Sequence, residues 1–305
     1  MDLFEQTARE RKSPVNILHG TDWWTDCDDV AALRLLLNAH RSGAVRLLAI
    51  GINSVMEYSA PSVSAFCEYS GVSVPIGVDK SAVRDGGKCR YQKLLSGFPH
   101  PVGSNSDCPD AWRLYRKVLS ELDGKADIID VGFPQIIMEL LKSPPDGSSP
   151  LTGTQLVREK VGRIWLMAGK WDVPDGLEYN LSAYPVCAEA GDYICRNCPV
   201  PITFIGYEVG QDVITGADVP GNDPLKQAFT AHGSASGRSS WDPLTALTAI
   251  LQDESAAGFE TVRGFARVDP KTGKNNFTPD PLGPHAYVKR LHPAEWYAGR
   301  INELL

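Results

Sequence analysis

An α/β fold built on a mostly parallel sheet is predicted by three observations. Strand-like runs alternate with helical segments through the first two-thirds of the chain. Those runs are almost continuously apolar, the mark of strands covered on both faces. The chemistry-bearing residues gather where such runs end, the edge at which open α/β sheets bind their ligands. With 305 residues the chain is long enough for one large domain of this kind. The expectation is a single domain over residues 1–305 with a Rossmann-like sheet between two layers of helices, residues 1–14 forming a flexible N-terminal arm.

In chain order, an apolar strand at 15–21 passes through an acidic turn into a helical run at 30–37. A strand follows at 45–52, then a helix at 59–69 and a short strand at 72–78. Residues 80–108 are rich in Gly, Lys, Arg and Ser without a period, and read as a long surface excursion. Helix returns at 109–122, where Pro109 suits the first turn and Trp112, Leu114, Val118 and Leu119 mark one apolar face. A strand at 126–131 precedes a helix at 134–141, and the turn cluster at 143–150 is too short to separate domains. A helix at 154–161, a strand at 163–167, a helix at 184–190 and a strand at 201–205 continue the alternation. Helices at 224–231, 242–251 and 293–304 follow, with strands at 261–268 and 285–289 between the last two. No internal repeat is present.

Composition narrows the partners. A net charge of −7 argues against a nucleic-acid backbone as the main partner. No run of about eighteen apolar residues occurs, so no membrane helix is expected. The first fourteen residues are charged and lack an apolar core, so a cytoplasmic protein is expected. Seven cysteines (27, 67, 89, 108, 187, 195 and 198) are an odd, scattered count that fits reduced thiols. Cys195-x-x-Cys198 lacks the second pair or histidines of a structural zinc site.

The densest chemistry is the turn after the first strand, where Asp22, Asp26, Asp28 and Asp29 fall within eight residues. Burying such carboxylates unpaired costs on the order of several kcal/mol each. A bound divalent cation relieves that repulsion, and the positive end of the following helix adds to it. A plain helix cap at Asp28 or Asp29 needs one aspartate, not four. Three further segments stand at or near strand ends. They are Val131-Gly132-Phe133-Pro134, whose exposed carbonyls suit a hard cation; Glu178-Tyr179-Asn180, which offers acceptors and donors to adjacent hydroxyls; and Trp241-Asp242-Pro243, where Asp242 is expected to cap the helix.

Taken together, Asp22-x-x-Thr25-Asp26-x-Asp28-Asp29 resembles the aspartate signature of the inosine–uridine-type nucleoside hydrolases. Glu178-Tyr179-Asn180 resembles that family's ribose segment, and Trp241-Asp242-Pro243-Leu244 its His-Asp-Pro segment. The similarity extends from about residue 15 to the end of the chain. It implies a nucleoside hydrolase fold holding Ca²⁺ at the carboxyl edge of the sheet, and hydrolysis of a ribonucleoside N-glycosidic bond to ribose and free base. By the same resemblance Asp22, Asp29, Asp242 and the Val131 carbonyl bind the metal, and Asp22 is the general base. Asp28, Glu178, Asn180 and Asp242 bind the ribose, and the protein forms dimers or tetramers.

The chain departs from the pattern at three places. Trp241 replaces a histidine that protonates the leaving base in many members, resembling instead the purine-preferring subgroup. Trp23-Trp24 stand where an apolar-Gly pair is usual, and Met56 falls in the register of a ribose-binding asparagine, with Asn53 nearby. Two other readings are a ribose- or nucleoside-binding protein that has lost turnover, and a metal-dependent phosphohydrolase. For the latter, no D-x-D-x-[TV] nucleophile arrangement begins at Asp22.

Overall fold

The computed structural model describes residues 2–24, 26–83 and 90–305. Helix α1 (Leu3–Glu10) leads to strand β1 (Val15–Thr21), helix α2 (Asp28–Ser42), β2 (Val45–Ser54), α3 (Ser59–Tyr69) and β3 (Ile76–Val83). A short helix α4 (Gln92–Leu95) precedes α5 (Ala111–Glu121), β4 (Ala126–Asp130), α6 (Gln135–Lys142), α7 (Gly153–Lys160) and β5 (Val161–Met167). Then come α8 (Tyr179–Ser182), α9 (Pro185–Asn197), β6 (Ile202–Ile205), α10 (Tyr207–Gly210) and β7 (Ile214–Thr215). The last elements are α11 (Pro224–His232), β8 (Arg238–Ser239), α12 (Trp241–Leu251), β9 (Phe259–Val268), β10 (Asn275–Pro279), β11 (His285–Arg290) and α13 (Ala294–Asn302).

Among the described residues, nine strands form the central sheet in the order β10-β9-β11-β6-β5-β4-β1-β2-β3. From β3 across to β11 every pairing is parallel, and β9 and β10 add an antiparallel margin. The chain runs outward from β1 through β2 to β3, then returns to lay β4 on the other flank of β1. That reversal opens a crevice at the carboxyl ends of β1 and β4, the switch point at which such sheets hold ligands.

Helices cover both faces because the strands are apolar on both. Buried residues of α2, α3, α11, α12 and α13 form one core with Ile17, Ile50 and Trp165 of the sheet. Those of α5, α6, α7 and α9 form the other with Leu18, Ile128 and Phe204. Helix α2 is buried from Asp28 to Leu37 and stops at Gly43, whose φ of 83° suits glycine and whose N–H closes on the Ala39 carbonyl. Among the described residues no helix is long and apolar enough to cross a membrane.

Several boundaries differ from expectation. The supposed N-terminal arm contains α1, capped by Asp2 and anchored by Phe4, which is 1% exposed in the first core. The strand expected at 72–78 lies at Ile76–Val83, pulled into register by pairing with β2. Within the supposed excursion at 80–108 are the end of β3, helix α4 and a 3-10 turn at Asn105–Asp107. Residues 84–89 lie outside the described residues, and Cys89 with them. The six described cysteines are free thiols. Strand β10 escapes sequence reading because Asn275-Asn-Phe-Thr-Pro is largely polar and lies at the margin of the sheet, with β9 as its one strand neighbour.

Candidate active site

The carboxyl ends of β1, β4, β5 and β6 enclose a cavity of about 370 Å³. The β1 end and the first turn of α2 deliver Asp22, Asp26, Asp28 and Asp29. Val131 comes from the turn after β4, Met167 from the end of β5, and Glu178, Tyr179 and Asn180 from the start of α8. Tyr207 follows β6, and Arg238, Trp241 and Asp242 enter from β8 and the first turn of α12. All eight candidates taken from the sequence (Asp22, Asp28, Asp29, Val131, Glu178, Asn180, Trp241 and Asp242) border this one cavity. Thr25 of the aspartate motif lies outside the described residues.

Helices α2 and α12 pack side by side, and their first turns meet. Oxygens of Asp28, Asp29 and Asp242 lie within 4.8 Å of one another. Asp28 Oδ2 accepts the Asp242 N–H at 3.1 Å, while Asp29 Oδ1 accepts the Trp23 N–H at 3.1 Å and the Thr21 hydroxyl. None of the three caps its helix. The N-cap positions belong to Cys27 and Ser240, neither making a side-chain capping bond. The expected cap at Asp242 is therefore displaced: α12 begins one residue earlier, at Trp241, and Asp242 turns into the cavity.

Charge is crowded here. Burial first, and then the neighbouring aspartates, hold the carboxyls of Asp22, Asp28 and Asp242 well above the usual range. Asp29 rises only to about 6, because donors from Thr21 and Trp23 offset part of its burial. Arg238 is the cation in the wall, and its guanidinium is already spent on Asp26, Nε to Oδ1 at 2.8 Å. Among the described residues, Asp22, Asp28, Asp29 and Asp242 thus face one another with no cation bonded to them, Arg238 acting on Asp28 only through its charge.

The carbonyl and amide side is tightly ordered. Asn180 Nδ2 donates to the Val131 carbonyl at 3.1 Å and to the Met167 carbonyl at 2.9 Å. Two carbonyl acceptors fix the amide orientation and leave its own oxygen as acceptor. Glu178 takes the Asn180 N–H at 2.7 Å on one oxygen and the Gly169 N–H at 2.9 Å on the other. Burial lifts Glu178 to about 7, against these donors. Gly132 lets the β4 turn press against the β1 loop, since a Cβ there would strike the Asp22 backbone nitrogen and Asn53 Oδ1.

The unusual tryptophans and Asn53 are structural. Trp23, at φ 44°, donates its indole N–H to Ser62 at 2.8 Å and packs on Phe66 and Tyr91. Trp24 is buried among Phe133, Tyr179 and Tyr184. Asn53 is fully buried, bridging Asp130 at 3.0 Å and the Phe133 N–H at 3.0 Å, and Met56 packs beside Trp24. None of the four lines the cavity. The aromatic wall is instead Tyr207 with Trp241, whose ring centroids lie 5.3 Å apart at 25°. The Trp241 indole N–H donates to the Tyr207 carbonyl at 2.9 Å, and the Arg238 guanidinium lies 5.3 Å from its centroid.

Sequence reading did not single out Asp26, Tyr179, Tyr207 or Arg238 as site residues. Position at a strand end would have found Tyr207, directly after β6; nothing local marks Arg238, which reaches Asp26 across 212 residues.

Neither a protein-family profile nor a curated protein matches this sequence. Solved structures do match. An inosine-guanosine nucleoside hydrolase shares 14% identity and superposes with a TM-score of 0.69 over 95% of this chain and 98% of its own. The fold is that of the nucleoside hydrolases. An inosine-uridine preferring nucleoside hydrolase from Bacillus anthracis shares the nucleoside hydrolase fold with this chain at 16% identity and a TM-score of 0.67, covering 95% and 98%. The type III effector protein XopQ, solved in complex with adenosine diphosphate ribose, matches at 15% identity and 0.67 over 100% and 97%.

Proposed function

We propose that the protein hydrolyses the N-glycosidic bond of a ribonucleoside, with a divalent cation held in the acidic cavity. The observation that carries this reading is the meeting of Asp28, Asp29 and Asp242 within 4.8 Å, from helices over two hundred residues apart in sequence. The donor chemistry fits a hard cation: carboxylate and carbonyl oxygens surround the space, and mutual repulsion among the acids is what a dication offsets. Asp22, Asp29, Asp242 and the Val131 carbonyl are the residues that would hold it. An oxygen-only set of this kind suits calcium. When bound, the cation lowers the cost of deprotonating water and neutralises the acids around it.

The chain's own residues supply the rest. Asp22, part-exposed at the cavity, takes a proton from the attacking water as it approaches C1′. The carboxylates around the sugar stabilise the positive charge that develops as the C1′–N bond lengthens. Asp28, Asp242 and the Asn180 oxygen accept ribose hydroxyls, and Glu178 stands beside them to complete the ring of acceptors. The bond electrons leave with the base nitrogen, which takes its proton from solvent. Trp241 cannot supply that proton, because its indole N–H is a very weak acid already bonded to Tyr207. The Tyr207–Trp241 wall supports purines as the favoured bases, by stacking.

A second reading is a nucleoside- or ribose-binding protein without turnover. It is favoured by the lack of a histidine among the described residues lining the cavity, the residue type that protonates the departing base in many nucleoside hydrolases. One experiment separates the two. Purified protein is incubated with purine and pyrimidine nucleosides, with calcium or chelator, while free base and reducing sugar are measured. Calcium-dependent release supports hydrolysis; tight binding without release supports the second reading; neither result sinks both.

A further inference from the structure

A second group of acids lies away from the cavity, where β3, α5 and α6 meet. Asp79 of β3, Asp110 just ahead of α5 and Glu139 of α6 offer oxygens within 4.8 Å of one another. Donors are scarce among them. Asp79 Oδ1 accepts both the N–H and the hydroxyl of Ser81, each at 2.8 Å. The same hydroxyl lies 2.5 Å from Glu139 Oε1, and its one hydrogen cannot serve both carboxylates. Asp110 occupies the N-cap of α5 yet accepts no capping bond from it, taking instead the Lys80 N–H at 3.3 Å.

Three oxygens are left over. Among the described residues, Asp79 Oδ2, Glu139 Oε2 and Oε1 of Gln135 are buried without a well-formed hydrogen bond. Asp79 and Gln135 are each 1% exposed, and the Gln135 amide, whose N–H goes to the Asn53 carbonyl, is also a weak donor to Asp79. The Gln135 oxygen is uncharged and belongs to no carboxylate, so the shortage of donors is not a matter of charge alone. Of the described lysines nearby, Lys80 bonds the Asn105 carbonyl at 3.2 Å, and Lys142 bonds Glu189 at 3.1 Å, its charge bearing on Glu139 only at longer range. A cavity of about 520 Å³, lined in part by Met56, Lys80 and Asn105, opens onto Asp79 and gives an ion a path from solvent.

We propose that Asp79, Asp110 and Glu139 bind a hard divalent cation at a second site, separate from the acidic cavity at the ends of β1 and β4. Oxygen donors alone select magnesium, manganese or calcium over softer metals. The ion ties three elements together, one of them α6, which starts four residues after Val131. Its role is to brace the scaffold, and it does not depend on the activity proposed above. The competing account is a proton shared between Asp79 and Glu139, for which burial and the adjacent acids, lifting Glu139 to about 7, give some ground.

Manganese(II) is the probe. Crystals of the intact chain grown with Mn²⁺ are measured at the manganese absorption edge, and bound Mn²⁺ is counted by electron paramagnetic resonance at pH 8. An anomalous peak among the three carboxylates is expected. So is one Mn²⁺ per chain that survives Asp29→Asn and is lost in Glu139→Gln. Electron density without an anomalous peak there, or a Mn²⁺ count unchanged by Glu139→Gln, overturns the proposal in favour of the shared proton. Asp110→Asn, at a half-buried position, gives the same count should Glu139→Gln not fold. Loss of Mn²⁺ from the first cavity alone leaves this site standing, so the two proposals fail separately.

Discussion

Asn180 Nδ2 donates to the carbonyl oxygen of Val131 at 3.1 Å. That bond couples the start of α8 to the turn after β4 and aims the carbonyl beside the aspartates. A second bond to Met167 at 2.9 Å ties the same amide to β5. Asn180 therefore orders three strand-end segments at once.

Replacing it by alanine leaves two buried carbonyls without their donor. Asn180→Ala is expected to cost about 1–3 kcal/mol of stability and to weaken calcium binding. Chemical denaturation and calorimetric titration check the two effects; an unchanged calcium affinity would show that the Val131 carbonyl is no ligand.

Asp22→Asn retains the shape of the side chain and removes its basicity. Turnover of a purine nucleoside is expected to fall by about 10²–10⁴-fold with the circular dichroism spectrum unchanged. A variant with wild-type turnover would exclude Asp22 as the base.

Without a cation, the acidic cavity makes the fold prefer protons. Asp29 sits at about 6 in the folded chain against an ordinary 3.8. Proton uptake therefore favours the folded state most fully below about pH 3.8, and that contribution is lost as the pH rises through about 6. Asp22, Asp28 and Asp242 are shifted in the same direction. In chelator, their share of the thermal midpoint should decline over this window. The rise in midpoint caused by calcium should grow over it, since the ion needs the deprotonated acids. Melting curves from pH 4 to 8 with and without calcium check this, and a calcium effect independent of pH would refute it.

Trp241→His puts a neutral-range acid on the base side of the cavity in place of part of the aromatic wall. Purine affinity is expected to weaken by about 1–3 kcal/mol of lost stacking, while hydrolysis of pyrimidine nucleosides rises. The ratio of kcat/KM for inosine and uridine reads both changes together.

Gly132→Ala tests the close approach of the two loops. The added methyl would displace Asp22 or Asn53, and a loss of about 1–3 kcal/mol is expected from overpacking. A fully stable, active variant would mean the turn is looser than its contacts imply.

The alternation of apolar runs and helices was enough to give the parallel sheet, because strands buried on both faces carry that signal in every residue. The acidic turn was equally legible, since four aspartates in one local stretch need a partner whatever the fold. Trp23, Trp24 and Asn53 were not: a bulky or polar side chain carries no mark of whether it faces a cavity or the core. Helix α1, in a stretch expected to be a flexible arm, and the bounds of β3 are not legible either, being set by docking and strand pairing rather than by periodicity.

By itself, then, the sequence determined the layers, the strand edge that carries the chemistry, and the acids gathered after β1. Only the tertiary structure decided that Asp242 meets Asp28, that Arg238 is spent on Asp26, and that Tyr207 backs Trp241. Each of those pairings joins residues more than thirty positions apart, and local sequence holds no information on the distance between them. It is set by the order of strands in the sheet and by the packing of α2 against α12.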